Sequence, residues 1–401
     1  MPTINELTKM IKPSATLSLK EEVKSLEKEY GLQIIDLTAG QPDTGPTEDV
    51  LEALSDGGKL HKYGPVQGEL ELRETLCGVI DEEVGVKYSP QDITITAGAK
   101  GGIDMLMRVL VAPGDVVGIM TPFWVTYPES AKIAQAVPHF LESSTDLRVD
   151  PGKLRRGVKT NKVKVLLYSS PCNPSGVLYT SDDLKAIAEV AKEENIWVIA
   201  DEIYRKFVFD GKKAESILSI EGIRDNTVLV DGPSKRFGVP GWRVGYVAGP
   251  AEVIKAVVKL QGHTSSGASR PAQHAMCVAY TSPKAREATE DMRRRYQKNR
   301  DTFVEGLNRI EGITCIKPEG AFYAFPDVEW YFGRKYEFAG NEYVINGSVD
   351  FRNFLLRKAQ VAGVEGAPFG MDGHIRFSLA TREEDCVNSL ANIKRALQDL
   401  R

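Results

Sequence analysis

Between residues 92 and 249 short apolar runs alternate with helix-like segments. Residues 92–96 (DITIT), 116–120 (VVGIM), 163–170 (VKVLLYSS), 197–204 (WVIADEIY), 228–231 and 245–249 read as strands. A helix is predicted over 100–110, stopped by Ala112-Pro113-Gly114-Asp115. Another is predicted over 182–195, opened by Thr180 with Asp183 at the spacing of a capping box. The strands between 163 and 204 are almost continuously apolar, as strands covered on both faces are. Alternation of this kind implies an α/β fold with a mainly parallel sheet flanked by helices.

The rhythm changes near Ser282. Residues 283–310 read as one long charged helix with Gly312 as its stop. Short strands at 322–325 and 374–379 follow, with helices that include a final one capped by Thr381 and Glu384. The stretch 329–348 reads as a loop or hairpin. We therefore expect a large domain over 46–285, and a smaller α+β domain formed by 1–45 together with 286–401.

The length of 401 residues suits two domains, and the apolar and charged fractions, 42% and 26%, are those of a globular chain. The net charge of −4 argues against nonspecific binding to nucleic acid or anionic membranes. Cys77, Cys172, Cys277, Cys315 and Cys386 are odd in number and widely spaced, with no CxxC pair. That fits reduced thiols and a cytoplasmic protein, and no metal site is expected. The start, MPTINELTKMIKPSATLSLK, has no apolar run of signal-peptide length, and no stretch reaches the roughly 18 apolar residues of a membrane helix.

Candidate chemistry sits where the predicted strands end, the place where open α/β sheets bind ligands. Gly98-Ala99-Lys100 follow one strand and begin a helix, so backbone N–H groups and the helix dipole could take an anion there. Alone, this is an ordinary tight turn, and no Walker lysine follows. Trp124 follows the next strand and could stack on a flat ring or simply pack. Asn173 lies between two prolines in Ser170-Pro171-Cys172-Asn173-Pro174-Ser175-Gly176, a rigid loop or a plain turn. Asp201 and Tyr204 share Ala200-Asp201-Glu202-Ile203-Tyr204; a carboxylate at the end of a buried strand needs a partner, whether a salt bridge, a helix cap or a cationic ring. Lys235 and Arg243 stand in a Gly- and Pro-rich run over 232–243, read as loop, whose aromatic and glycine residues argue for packing around both cations. Apolar surroundings and neighbouring cations would lower the pKa of such a lysine and free its amine to react. An amine, a buried carboxylate, an aromatic plane and an anion cup are what a cofactor with an aldehyde, a pyridine ring and a phosphate needs.

In order along the chain, Gly-Ala-Lys, Trp, Asn-Pro-Ser-Gly, Asp-Glu-Ile-Tyr, Ser-Lys-x7-Arg and a final Arg resemble class I/II aminotransferases, and in particular the prokaryotic aspartate aminotransferase branch. The resemblance runs from Lys12-Pro13-Ser14-Ala15-Thr16-Leu17 to Ile375-Arg376-Phe377-Ser378. It implies pyridoxal 5'-phosphate (PLP) fold type I, a homodimer with shared active sites, and ping-pong transamination between an L-amino acid and a 2-oxo acid. Lys235 then matches the Schiff-base lysine and proton carrier, and Asp201 the partner of the ring nitrogen. Asn173 and Tyr204 match the donors to the phenolic oxygen, and Trp124 the stacking ring. Ser234, Arg243 and the Gly98–Lys100 amides match the phosphate cup, and Tyr63 a tyrosine reaching the partner subunit's phosphate. Gly40 and Arg376 match the holders of the substrate α-carboxylate. Lys100 is a candidate reader of an acidic side chain, with Arg270 as the rival and Ser14 and Thr16 closing over the same carboxylate. Gly232, Pro240 and Gln41 depart from residues common in the family, which touches specificity more than reaction class.

Four other readings compete. A PLP β-lyase uses the same constellation, as does an aminotransferase for aromatic or neutral amino acids. A sensor or structural protein of the fold is disfavoured by the presence of Lys235. A nicotinamide dehydrogenase is disfavoured because no GxGxxG follows a strand.

Overall fold

The structure, a computed structural model, describes residues 2–13 and 15–400. Ser14 lies outside the described residues, and Thr16 lies on the helix Ala15–Tyr30.

Seven strands form the main sheet: β1 (Ile93–Thr96), β2 (Val116–Met120), β3 (Val137–Leu141), β4 (Val163–Ser169), β5 (Trp197–Asp201), β6 (Thr227–Asp231) and β7 (Gly245–Ala248). Their spatial order is β1-β7-β6-β5-β4-β2-β3. Only β7 runs against its neighbours, pairing antiparallel with β1 and β6, so the sheet is mainly parallel as expected. Period-two alternation sends successive β4 side chains to opposite layers. Val165 and Leu167 pack with Ile103, Leu106 and Ile254 on one face. Leu166 and Tyr168 pack with Leu154, Leu184 and Ile187 on the other. Both faces are dry, which is why β4 to β6 carry almost no polar side chain until their C-terminal ends.

The helices are set by local chemistry. Ser181–Glu193 begins at Thr180, whose hydroxyl accepts from the Asp183 N–H while the Asp183 carboxylate accepts from the Thr180 N–H, completing the capping box. Gly98–Leu110 starts two residues earlier than expected, directly off β1. Strand β5 stops at Asp201, so Tyr204 belongs to the turn after it and not to the strand. The pairing ends there because Glu202 N–H still reaches Val230 while the chain already bends at Ile203.

Beyond Pro283–Asn308, a three-stranded antiparallel sheet joins Val364–Glu365, Ile375–Ser378 and Tyr323–Ala324. The N-terminal segment joins this part: Ile35–Asp36 pairs parallel with Val361–Ala362, and Leu37 sits in one core with Phe303, Phe354 and Phe377. The stretch 329–348 contains the hairpin Lys335–Phe338/Asn341–Val344. The last helix, Glu383–Leu397, is not opened by a Thr381–Glu384 box. Its N-cap is Arg382, and the Thr381 hydroxyl instead donates to Asp385 at 2.8 Å, so the cap lies one residue later than the sequence pattern implied.

Candidate active site

The C-terminal ends of β4, β5 and β6 and the helix start after β1 converge on a cavity of ≈ 340 Å³. It is lined by Gly40, Ala99, Lys100, Trp124, Asn173, Asp201, Tyr204, Ser234, Lys235, Arg243 and Arg376 among the residues singled out from sequence. Residues more than 300 positions apart meet there because the N-terminal segment and the Ile375–Ser378 strand both close over the sheet edge.

Lys235 does not stand in a loop, as its Gly/Pro surroundings implied. It sits on a one-turn helix, Pro233–Arg236, with proline at the first position, where its missing N–H costs nothing. Behind this turn Asp231 accepts from the Gly232 N–H at 2.6 Å and from the Tyr246 hydroxyl at 3.1 Å, and burial pushes its carboxyl up to about 7. The Lys235 ammonium donates to the Gly40 carbonyl at 2.6 Å. Burial, and after it the Arg376 charge, lower its pKa to about 8, against an opposing pull from Asp201.

Asp201 is 3% exposed. Its Oδ2 accepts from the Tyr127 hydroxyl at 2.7 Å and its Oδ1 from the Ile203 N–H at 3.2 Å. Burial pushes it up to about 6, with those two donors and Lys235 holding it down. Tyr204 is buried, and its hydroxyl shares a 2.7 Å hydrogen bond with that of Tyr323. Trp124 lines the cavity with the Lys100 ammonium 4.9 Å from its ring centroid, a cation–π distance. Partial burial, and then the Arg243 charge, lower the Lys100 pKa.

Gly98 and Gly245 make the anion cup possible. A Cβ on Gly245 would lie 2.3 Å from the Ala99 nitrogen, so only glycine lets β7 pass under the helix start. Gly98 has φ +77°, and a Cβ there would lie 2.6 Å from the Arg243 guanidinium. Arg243 is itself left-handed at φ +53°, held by bonds to the Ala97 and Pro240 carbonyls, both 3.1 Å. Such a backbone conformation in a non-glycine residue persists where the surroundings enforce it.

Arg376 is 1% exposed. It donates to Asn173 Oδ1 at 3.1 Å and to the Thr38 carbonyl at 2.8 Å, and Tyr323 lies 4.6 Å beneath it. Its Nε has no partner, and among the described residues it pairs with no carboxylate. A buried cation with no carboxylate in contact is costly; its burial lowers its pKa, against opposing pulls from Tyr323, Tyr204 and Glu365. The cavity wall thus carries Lys100, Lys235, Arg243 and Arg376 against Asp201 alone, four cations to one anion.

Gly98 backs the cup without lining the cavity, and two further expected residues lie elsewhere. Tyr63 is 95% exposed and does not line this cavity. Arg270 is tied to Glu69 at 2.5 Å and to the Lys62 carbonyl at 3.3 Å, next to Tyr63. Sequence reasoning missed Tyr127, Ser169, Ile203 and Tyr323, which also line the site. For Tyr127 a signal existed, an aromatic hydroxyl three residues after Trp124 on the first turn of Thr126–Ile133; for Tyr323 there was none beyond a run of aromatics.

Residues 33–393 match the family described as aminotransferase class I and II. The chain is 35% identical to an aspartate aminotransferase of Geobacillus stearothermophilus over 393 residues, 96% of each chain. It is 35% identical to a probable aspartate/prephenate aminotransferase of Aquifex aeolicus over 397 residues, 97% of each. The solved aspartate aminotransferase of Thermus thermophilus with maleate superposes with a TM-score of 0.90 at 32% identity, covering 99% of this chain and 100% of that one. The chain belongs to the class I and II aminotransferase family, and it is a PLP-dependent aminotransferase.

The residues present fit that cofactor. A lysine amine with a lowered pKa, a buried carboxylate that among the described residues is in no contact ion pair, an indole plane and a glycine-walled helix start stand around one electropositive cavity. Among the described residues, no helix is long and apolar enough to cross a membrane.

Proposed function

We propose that this aminotransferase moves the amino group of L-aspartate or L-glutamate to a 2-oxo acid such as 2-oxoglutarate. The observation that carries this is Arg376, a buried guanidinium with an unpartnered Nε and, among the described residues, no carboxylate in ion-pair contact, opening into the same cavity as Lys235 and Lys100. Such an environment favours a ligand bearing carboxylates. The names of the relatives, and the maleate that accompanies the Thermus enzyme, support a dicarboxylic substrate.

PLP, when bound, supplies an electron sink that makes the proton on the substrate Cα removable. Lys235 would hold it, Asp201 would keep its ring nitrogen charged, and Ser234, Arg243 and the Gly98, Ala99 and Lys100 amides would take its phosphate. Asn173 and Tyr204 would donate to the phenolic oxygen, and Trp124 would cover the ring. Arg376 and Gly40 would seat the α-carboxylate. An amine with a pKa of about 8 is poised to carry a proton near neutral pH, so Lys235 would accept the Cα proton and return it on the other side of the exchange. Arg376 and Lys100 would orient the substrate from its two ends.

One observation favours a second, larger substrate class. A further cavity of ≈ 590 Å³ shares Lys100, Val125 and Thr126 with the first; Phe123, Phe140 and Lys12 line it, as do the carboxylates of Asp104, Glu129 and Glu365, so it offers volume more than a charge match. That is room for a bulky dicarboxylate, such as the prephenate named for the Aquifex relative.

We further propose a cytoplasmic homodimer. The neighbouring positions of Tyr63 and Arg270, both away from the cavity of their own chain, suit a role in a partner's site. The five free cysteines suit a reducing compartment. The division into a domain over 46–285 and another over 1–45 with 286–401 is supported by the pairing of Ile35–Asp36 with Val361–Ala362.

Initial rates for a panel of amino donors against 2-oxoglutarate test the proposal. Aspartate and glutamate should lead. Alanine or phenylalanine turned over as well as aspartate, or pyruvate released from a β-substituted substrate without amino transfer, would overturn it.

A further inference from the structure

Tyr127 is 1% exposed, and no step above uses it. It stands on the first turn of Thr126–Ile133, three residues after Trp124, and its N–H bonds the Trp124 carbonyl at 2.9 Å. The two rings lie perpendicular, 5.7 Å apart. From there the Tyr127 hydroxyl crosses to β5 and reaches Asp201 Oδ2 at 2.7 Å. A single turn therefore carries both an indole that lines the cavity and a donor to the buried carboxylate.

We propose that Tyr127 is a positioning residue: its hydroxyl fixes the orientation of the Asp201 carboxylate and keeps it charged, and so sets how firmly the cofactor ring is held.

The direction of the bond supports this. Burial, and then the Asp201 charge, raise the Tyr127 pKa well above its usual value, so the phenol keeps its proton and acts as donor. Among the described residues, Asp201 has that donor and the Ile203 N–H on its two side-chain oxygens and no other. Removing the phenol leaves Oδ2 without a partner in a dry site, which favours the neutral acid over the carboxylate. The other titratable groups facing Asp201 are Lys235, Cys172, Glu202 and Tyr204. Of these only Lys235 is a cation, and it is the group expected to be consumed by the cofactor linkage. Tyr127 and the Ile203 N–H are then the donors that the protein itself leaves on Asp201, beside the ring nitrogen that the carboxylate would face.

The inference rests on the proposed place of Asp201 at the ring, and the test separates the two. Holoenzyme and apo-protein are prepared for wild type, Tyr127→Phe, Asp201→Asn and the double variant, and the PLP dissociation constant is read by spectrophotometric titration. Asp201→Asn without effect on PLP affinity or spectrum would remove the reading of Asp201 itself. If Asp201 acts, Tyr127→Phe is expected to raise the dissociation constant about tenfold, the lower range of a lost charge-assisted bond. It should also lower kcat with little change in KM for the amino donor. The pH midpoint of the holoenzyme's visible absorbance should move upward by roughly half a unit or more, because a less cationic ring repels the linkage proton less. Apo-protein melting should stay near wild type. In the double variant Tyr127→Phe should add almost nothing to Asp201→Asn. Unchanged PLP affinity and midpoint, additive losses in the double variant, or a Tyr127→Phe chain that does not fold would overturn the proposal.

Discussion

The Lys235 ammonium donates to the carbonyl oxygen of Gly40 at 2.6 Å, across 195 residues of sequence. Gly40 comes from the N-terminal segment and Lys235 from the turn after β6, so this bond joins the covering segment to the floor of the sheet. Breaking it is part of loading the protein, since only a neutral, released amine can attack an aldehyde.

The first expectation concerns pH. The Lys235 pKa is lowered to about 8, so below that pH the apo-protein holds a growing fraction of ammonium, which cannot attack. The rate of PLP capture by apo-protein should rise with pH through a midpoint near 8 and level off above it. Stopped-flow absorbance over pH 6–9.5, roughly centred on that value, measures this. Borohydride reduction and peptide mapping should then place the label on Lys235. A capture rate independent of pH would contradict the assignment.

Asp201 opposes stability while it serves the site. Its pKa in the folded chain is raised to about 6 from 3.8, so the folded state binds more protons than the unfolded one between those values. Stability contributed here is present below 3.8 and is lost as pH rises through 6. At pH 7–8 apo Asp201→Asn should therefore melt at or slightly above wild type, by about 1 kcal/mol after discounting the bond that the amide makes less well. Its PLP affinity should drop sharply. Calorimetry of both apo-proteins decides the point; a clearly less stable variant would show that Asp201 also holds the fold.

Lys100 is expected to read the side chain of the substrate. Lys100→Ala should lower kcat/KM for aspartate roughly tenfold to a hundredfold, the equivalent of a charge-assisted contact of about 1.5–3 kcal/mol. Alanine and phenylalanine turnover should change much less. Equal loss for all donors would assign the residue to the phosphate. An unaltered preference for aspartate would move the role to Arg270, which the structure keeps beside Tyr63 in an ion pair with Glu69.

The dimer is tested by complementation. Tyr63→Phe and Lys235→Ala chains, each of low activity, should regain part of it when mixed, because hybrid dimers contain one site with both native residues. A monomeric wild type fully active at assay concentration would refute the shared site.

Much of this was legible in the sequence because strand ends and chemistry coincide. Residues 165–168 are a buried run up to Ser169, and Asp201 closes an equally buried run, so the polar residues that end each strand marked the cavity edge. What was hidden depended on distance in the chain or on backbone detail. Tyr127 and Asp201 lie 74 residues apart, and nothing local ties them. The glycines and prolines around Lys235 imply a loop, yet Pro233 at the first helical position starts a helical turn. The position of Arg376 beneath Thr38 and Asn173 needed the parallel pairing of Ile35–Asp36 with Val361–Ala362, a pairing two residues long that periodicity cannot register.

The imbalance of four cations to one carboxylate in the cavity has a practical side. A freshly folded chain is an anion trap before it is a catalyst, and inorganic phosphate or sulfate in a purification buffer will compete for the cup between Gly98 and Arg243. The colour and specific activity of a preparation then depend on its buffer history, and dialysis into a weakly coordinating buffer should come before any cofactor titration.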